Sequence, residues 1–330
     1  MRRSRIVGVG HYLPPRVVTN KELEQYMDTS DEWIRERSGI ETRHWVDPGT
    51  STSDLALEAS KAALENANLE PEQLDFIVLS TLMPDYYFPG SGVILQRKLG
   101  LKNIGALDVR TQCTGFIYGL SVADQFIRTG MYNRVLVVGA EVHSKGLDIS
   151  TRGRDVSVLF GDGAGAVVLE ANDENRGILS SHLHADGNHA EQLWVEYPGS
   201  AADKFIPDDL VESGRCFPLM EGREVFKSAV VRFTQVINEA LVANNLSRLH
   251  IKLVIPHQAN KRITEAVEQR LELQPGVVFS NIEKYGNTTA ASIPIALSEA
   301  LQQGLIEDGD FIILAAFGSG FTWASAAIRW

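Results

Sequence analysis

Short apolar runs and amphipathic stripes alternate along the whole chain, with no low-complexity or Pro/Ser-rich linker between them. Runs at 6–10, 75–82, 105–112, 134–140, 165–170, 253–258, 277–281, 310–317 and 322–329 predict strands. Several are apolar at consecutive positions, the pattern of strands covered on both faces. Helices are predicted over 20–27, 30–37, 53–67, 90–99, 114–129, 223–244, 261–272 and about 290–303. The 223–244 segment carries Phe226, Val230, Phe233, Ile237 and Leu241 as one stripe, and Asn244-Asn245 ends it. Thr19 with Glu22, and Thr29 with Glu32, have the spacing of capping boxes. Residues after Cys113 are apolar on nearly every side, which places that helix in the core. Pro294 is compatible with a helix only in its first turn or at a kink.

Two stretches share one order. Residues 53–113 read helix, strand, helix, strand and end at Cys113; residues 223–287 read the same and end near Asn287. This predicts an α/β protein of two similar units, 1–175 and 176–330, whose strand ends meet at a shared site.

Composition narrows the class. The 44% apolar and 22% charged content is that of a soluble globular protein, and no apolar run approaches the ~18 residues of a membrane span. The basic start Met1-Arg2-Arg3-Ser4-Arg5 leads only into the short run Ile6–Gly10 and then Pro14-Pro15, a first strand and turn rather than a signal peptide. Two cysteines make no disulfide framework, so a reducing cytoplasm is expected. A net charge of −11 argues against nucleic acid as a partner, and it requires that any acidic partner find a local basic patch.

Candidate chemistry sits at strand ends. Cys113 opens the apolar helix, where free N–H groups and the helix dipole are expected to lower the thiol pKa. His257 lies in Pro256-His257-Gln258-Ala259-Asn260, and Asn287 in Tyr285-Gly286-Asn287-Thr288. Each has an ordinary structural reading, as a buried cysteine, a core histidine or a turn asparagine. Together they suit thioester exchange followed by stabilisation of an enolate. Papain-like proteases share the order Cys, His, Asn, but their Cys-Gly-Ser/Ala-Cys-Trp/Tyr signature is missing. Cys216, in a Gly/Pro-bounded stretch, reads as non-catalytic. His182, His184 and His189 read as structural, because no carboxylate or cysteine in that string completes a metal ligand set. Gly161-Asp162-Gly163-Ala164-Gly165 lacks dinucleotide-binding spacing and reads as close-packed backbone.

Five motifs in order carry a family resemblance from Ile6 to Trp330: Asp28–Ile34, Phe160–Ala166, Pro256–Asn260, Tyr285–Thr288 and Ala316–Trp323. In these the chain resembles the thiolase-fold condensing enzymes, specifically the β-ketoacyl-[acyl-carrier-protein] synthase III family. That resemblance implies a layered α-β-α-β-α sandwich and a decarboxylative condensation. An acyl-CoA primer, acetyl-CoA by default, would react with malonyl-carrier protein without metal or redox cofactor. It casts Cys113 as the acyl-accepting nucleophile and His257 and Asn287 as donors to the enolate. Backbone N–H groups at Cys113 and in the 318–320 loop, including Ser319, would hold the oxyanion, with Phe317 orienting the decarboxylation. Trp33 and Arg152 resemble a pair that sandwiches the CoA adenine, and Arg37 a phosphate contact. Arg223, Lys227, Lys261, Arg262 and Arg270 would form the patch for the acyl carrier protein. Tyr86-Tyr87-Phe88-Pro89 resembles a segment that reaches the partner's acyl tunnel in a homodimer.

Two departures stand out. Ser319 replaces a glycine, which would introduce strain if φ must be positive there. The 190–218 segment is longer than is usual, which leaves the acyl group open. A relative in specialised metabolism, transferring another acyl group, and a silent acyl-binding module are the competing readings.

Overall fold

The computed structural model describes residues 2–330; Met1 lies outside the described residues. Two sheets dominate. A five-stranded sheet has the order β1 (Arg3–Tyr12), β7 (Gly163–Asn172), β6 (Arg134–Glu141), β4 (Phe76–Ser80), β5 (Gly105–Val109). A four-stranded sheet has the order β11 (Ile251–Pro256), β12 (Phe311–Gly318), β13 (Thr322–Arg329), β8 (Gly177–Ala185). Two small ribbons join β2 (Arg16–Thr19) to β3 (Thr42–Trp45) and β9 (Leu193–Trp194) to β10 (Leu219–Met220). The parallel pairs β6/β4 and β11/β12 lie inside covered faces, which is why their sequences are apolar at consecutive positions, whereas β5 at the sheet edge is partly exposed.

Helices make three layers around these sheets. Gly115–Arg128 and Ser292–Gln302 lie between the sheets and pack on strands of both. Residues Phe116, Ile117, Leu120, Ala123 and Ile127 of the first are buried, as its all-round apolar sequence requires. Thr52–Ala67 covers the outer face of the five-stranded sheet, and Gly222–Ala243 with Lys261–Leu271 that of the other. Phe233, Ile237 and Leu241 of the expected stripe are buried, while Phe226 and Val230 are half-buried, Phe226 on the wall of the cavity described below.

Several local expectations change. Residues 277–281 form no strand; a single bridge, Val254 to Val278, is all that joins them to β11. The Gly177–Ala185 strand escaped the periodicity because its residues after Ile178 are partly exposed and polar. Ser30, rather than Thr29, caps the Asp31–Ser38 helix, accepting from Trp33 N–H at 3.1 Å, while Thr29 Oγ1 is buried without a partner. Pro294 sits in the first turn of Ser292–Gln302, where its missing N–H costs nothing.

One buried cation ties the N-terminal ribbon to the wall of the site. Arg43 is fully buried and donates to Asn20 Oδ1 at 2.7 Å and to Val158 carbonyl at 2.7 Å. Burial lowers its pKa to about 10, so it still carries its charge at neutral pH.

Candidate active site

Cys113 stands on a tight turn, Gln112–Thr114, that feeds the central helix Gly115–Arg128. Gln112 holds φ at +48°, a left-handed conformation that aims the next residue out of the strand path. Across from it, β12 ends at Gly318. A Cβ on Gly318 would lie 2.5 Å from Cys113 Cβ and 2.8 Å from Sγ, so only glycine allows this approach. Ser319 then turns its backbone N–H onto the thiol. Its φ is not positive, and the left-handed residue is Gly320 at +133°, so serine is accommodated without the strain its sequence position suggested.

His257 follows β11, its N–H bonded to Ala315 carbonyl at 2.8 Å. Its Nδ1 lies 2.7 Å from Ser292 Oγ, at the start of the second central helix. Asn287 is held through its main chain, N–H to Leu159 carbonyl at 2.8 Å and carbonyl to Gly161 N–H at 3.1 Å. Its Oδ1 accepts from Thr289 N–H at 2.9 Å, so the Nδ2 amide is the end left for the cavity. The Thr289–Ala291 turn reaches this place because β6 carries Gly139, where a Cβ would meet Ala290 carbonyl at 2.2 Å.

These elements enclose one cavity of about 610 Å³ lined by Cys113, His257, Asn287, Phe317 and Gly318, with Trp33 and Arg37 also on its wall. Burial controls its electrostatics. The Cys113 thiol is pushed up to about 12, mainly by desolvation and then by the nearby Glu141; the N–H groups of Ser319 and Cys113 and the Thr289 hydroxyl pull the other way. The lowered pKa expected from the helix terminus is therefore not what the closed site provides. His257 is pushed down to about 3 by burial, with His143 adding to it, so the imidazole is neutral.

Behind the thiol lies a second buried set that sequence reasoning did not single out. His143 Nε2 is 2.7 Å from Thr289 Oγ1, and Thr289 holds φ at +47°. Glu141 is raised to about 8 by burial, against hydrogen bonds from Leu82 and Met83 N–H and the Thr81 hydroxyl. Their only local signal was polar residues ending the apolar β6 run.

Arg152 does not stack on Trp33 directly, which a pair that sandwiches a base between its members does not require. Arg152 Nε binds Asp148 at 2.5 Å, its Nη1 donates to Glu212 carbonyl at 2.9 Å, and its guanidinium lies over Phe217. Trp33 instead has Arg37 at 4.8 Å and Arg154 at 5.2 Å from its ring centre. The segment before Pro218 thus holds Arg152, and Arg154, two residues on, is the arginine against the Trp33 ring together with Arg37.

The basic residues divide likewise. Arg223, Lys227 and Arg262 line the cavity, with Lys227 paired to Glu224 at 2.8 Å. Lys261 packs against Gly39 in a separate hollow of mixed charge with Glu36, Glu41 and Glu265, and Arg270 lies in the last turn of its helix. His184 contacts Glu239 at 2.7 Å and His182 contacts it at 3.5 Å; among the described residues no three such side chains are placed to hold a metal ion. Asp162 of the glycine-rich string is buried and accepts from Val46 and Ser144 N–H groups. Both cysteines are unpaired. No helix among the described residues is long and apolar enough to cross a membrane.

Comparison with known proteins agrees with this geometry. Residues 107–187 match the family description 3-oxoacyl-[acyl-carrier-protein (ACP)] synthase III, and residues 241–330 match its C-terminal part. The chain is 49% identical to the β-ketoacyl-[acyl-carrier-protein] synthase III of Caldanaerobacter subterraneus subsp. tengcongensis, over 98% of this chain and 97% of that one. The 3-oxoacyl-[acyl-carrier-protein] synthase III of Aquifex aeolicus VF5 superposes with a TM-score of 0.91 at 42% identity, covering 99% of this chain and 100% of that one. The priming β-ketosynthase of the R1128 polyketide pathway superposes with a TM-score of 0.90 at 33% identity, covering 99% and 96%. The layered sheets and helices are thus the thiolase fold, and the protein is one of its condensing enzymes. Within that class the chain belongs to the β-ketoacyl-[acyl-carrier-protein] synthase III family, acyltransferases that initiate fatty acid synthesis.

A thiol held near 12 has a sharp signature. Below that value the thiolate fraction grows about tenfold per pH unit, so alkylation of free Cys113 by iodoacetamide should climb without a plateau from pH 6 to 9. A plateau near pH 7 would show that the helix terminus outweighs burial.

Proposed function

We propose that Cys113 accepts the acyl group and that His257 and Asn287 stabilise the enolate that extends it. The carrying observation is that one cavity brings the three side chains together with Phe317 and Gly318. In the first half-reaction the Cys113 sulfur bonds to the acyl carbon, the C–S bond to CoA breaks, and the thiol proton passes to the departing CoA sulfur. The N–H groups of Cys113 and Ser319 face the oxyanion of that step. A raised thiol pKa suits this order: the resting site keeps its proton until a thioester arrives to take it.

In the second half-reaction malonyl-carrier thioester loses CO2, and the electron pair of the broken C–C bond becomes the enolate. Its oxygen needs donors, and a neutral His257 can supply Nε2–H when the Ser292 hydroxyl turns from the Thr289 carbonyl, 2.9 Å away, to donate to Nδ1. Asn287 supplies Nδ2–H, its amide oriented by Thr289 N–H. The carbanion then attacks the acyl carbon, and collapse of the tetrahedral adduct returns Cys113 as thiolate. Loss of CO2 drives the bond formation, so the reading calls for no metal or redox cofactor.

The same reading assigns Trp33, Arg37 and Arg152 to the CoA nucleotide, with Arg154 as the further arginine against Trp33. Arg223, Lys227 and Arg262 at the cavity, with Lys261 and Arg270 along their helix, would meet the acidic carrier protein. It divides the chain into halves 1–175 and 176–330, places it in the cytoplasm, and pairs two copies through the exposed Tyr86, Tyr87 and Phe88. Acetyl-CoA is the default primer. The similarity to a polyketide-priming enzyme supports a second reading, a longer or specialised acyl group on the same cysteine.

Incubation with a panel of acyl-CoAs, read by intact mass, should give one adduct per chain with the preferred primer and none in Cys113→Ala. An adduct that persists in Cys113→Ala would overturn the assignment of the nucleophile. The CoA contacts separate too. Arg154→Ala should raise KM for acyl-CoA by about tenfold, the worth of a well-placed cation–π contact, and Arg152→Ala by less. An equal or larger effect of Arg152→Ala would contradict Arg154 as the main arginine contact.

A further inference from the structure

The two departures in the sequence, Ser319 and the long 190–218 segment, meet in the structure. After β8 the chain leaves the four-stranded sheet and forms the β9/β10 ribbon, Leu193–Trp194 against Leu219–Met220. Ser319 Oγ donates to the Leu193 carbonyl. Next to it Asp186 and Phe321 exchange two backbone hydrogen bonds at 2.8 Å, and Glu221 N–H donates to Gln192 carbonyl at 2.8 Å. The ribbon is therefore stitched to the loop that follows β12.

Its side chains follow the cavity. Leu193 packs with the cluster holding Phe317 and Phe321, beside the nucleophile, while Met220 packs with the cluster that includes Trp33 and Leu159. Both line the cavity. The ribbon thus forms a wall running from Cys113 toward Trp33. Ser319 works in two directions at its inner end: its N–H faces the Cys113 thiol and its hydroxyl holds the ribbon. A glycine here would keep the first contact and lose the second.

We propose that the Ser319 hydroxyl is a positioning group that fastens the 193–220 ribbon to the oxyanion loop, so that the wall along the acyl-CoA channel and the N–H on the thiol are set by one residue. The inference rests on reading this cavity as the acyl-thioester site.

The test compares the full-length protein with Ser319→Ala and Ser319→Thr, all of which keep the backbone N–H. Amide hydrogen exchange across 192–194 and 219–221 should speed up by about 2- to 12-fold in Ser319→Ala, the range of one neutral hydrogen bond. Exchange in β12 should stay as it was. KM for acyl-CoA should rise within the same range of about 2- to 12-fold, and by more than kcat falls. Ser319→Thr, which retains a hydroxyl, should restore both. Unchanged ribbon exchange in Ser319→Ala would overturn the proposal, as would a loss confined to kcat. Exchange does not depend on turnover. Failure of the native protein to form an acyl adduct would therefore defeat the site reading and the channel role, whereas unchanged exchange with normal acylation would defeat the tether alone.

Discussion

The site depends on two backbones approaching at Cys113 more closely than any side chain would allow. Gly318 at the end of β12 faces the cysteine at a distance that a Cβ would close to 2.5 Å, and this contact joins the five-stranded sheet's helix to the four-stranded sheet's strand. A second such approach, Gly139 against Ala290, lets the Thr289–Ala291 turn settle on β6 and brings Asn287 to the same point. Close packing of main chain, rather than any ion pair, fixes where the three reactive side chains stand. The exposed salt bridges scattered over the surface add little by comparison.

The same packing determines the charge states. Excluding water raises the thiol of Cys113 and the carboxyl of Glu141 and lowers the imidazoles of His143 and His257. A neutral imidazole beside a protonated thiol is not an activated thiolate–imidazolium pair of the protease kind. In the proposed reaction, charge would appear only when substrate brings it, to be met by hydrogen-bond donors held in the closed site.

Much of this was legible in the chain. Consecutive apolar positions marked the covered strands, the all-round apolar stretch after Cys113 marked a central helix, and His257 follows one such strand, whereas the strand expected before Asn287 does not form. What was hidden depended on distance across the fold. Ser292, which bonds the His257 ring, and Thr289, which bonds the Asn287 side chain, sit in a run of small residues whose meaning appears only when Gly139 admits it to β6. The contacts of Arg152 were hidden too: the segment before Pro218 holds it through main-chain carbonyls, which no local pattern encodes. Strand 177–185 was missed because one partly exposed, polar strand beside a buried sheet does not alternate cleanly.

The central claim is a division of labour: Cys113 carries the acyl group, and Asn287 with His257 carries the enolate. Carbon dioxide released from carboxyl-labelled malonyl-carrier protein, measured beside acyl-adduct formation in Cys113→Ala and Asn287→Ala, tests it most directly. Cys113→Ala should release CO2 without forming an adduct. Asn287→Ala should acylate at the native rate while its CO2 release falls by about 10²- to 10³-fold, the usual cost of one preorganised donor. Asn287→Ala that releases CO2 at the native rate, or that fails to acylate, would contradict the account.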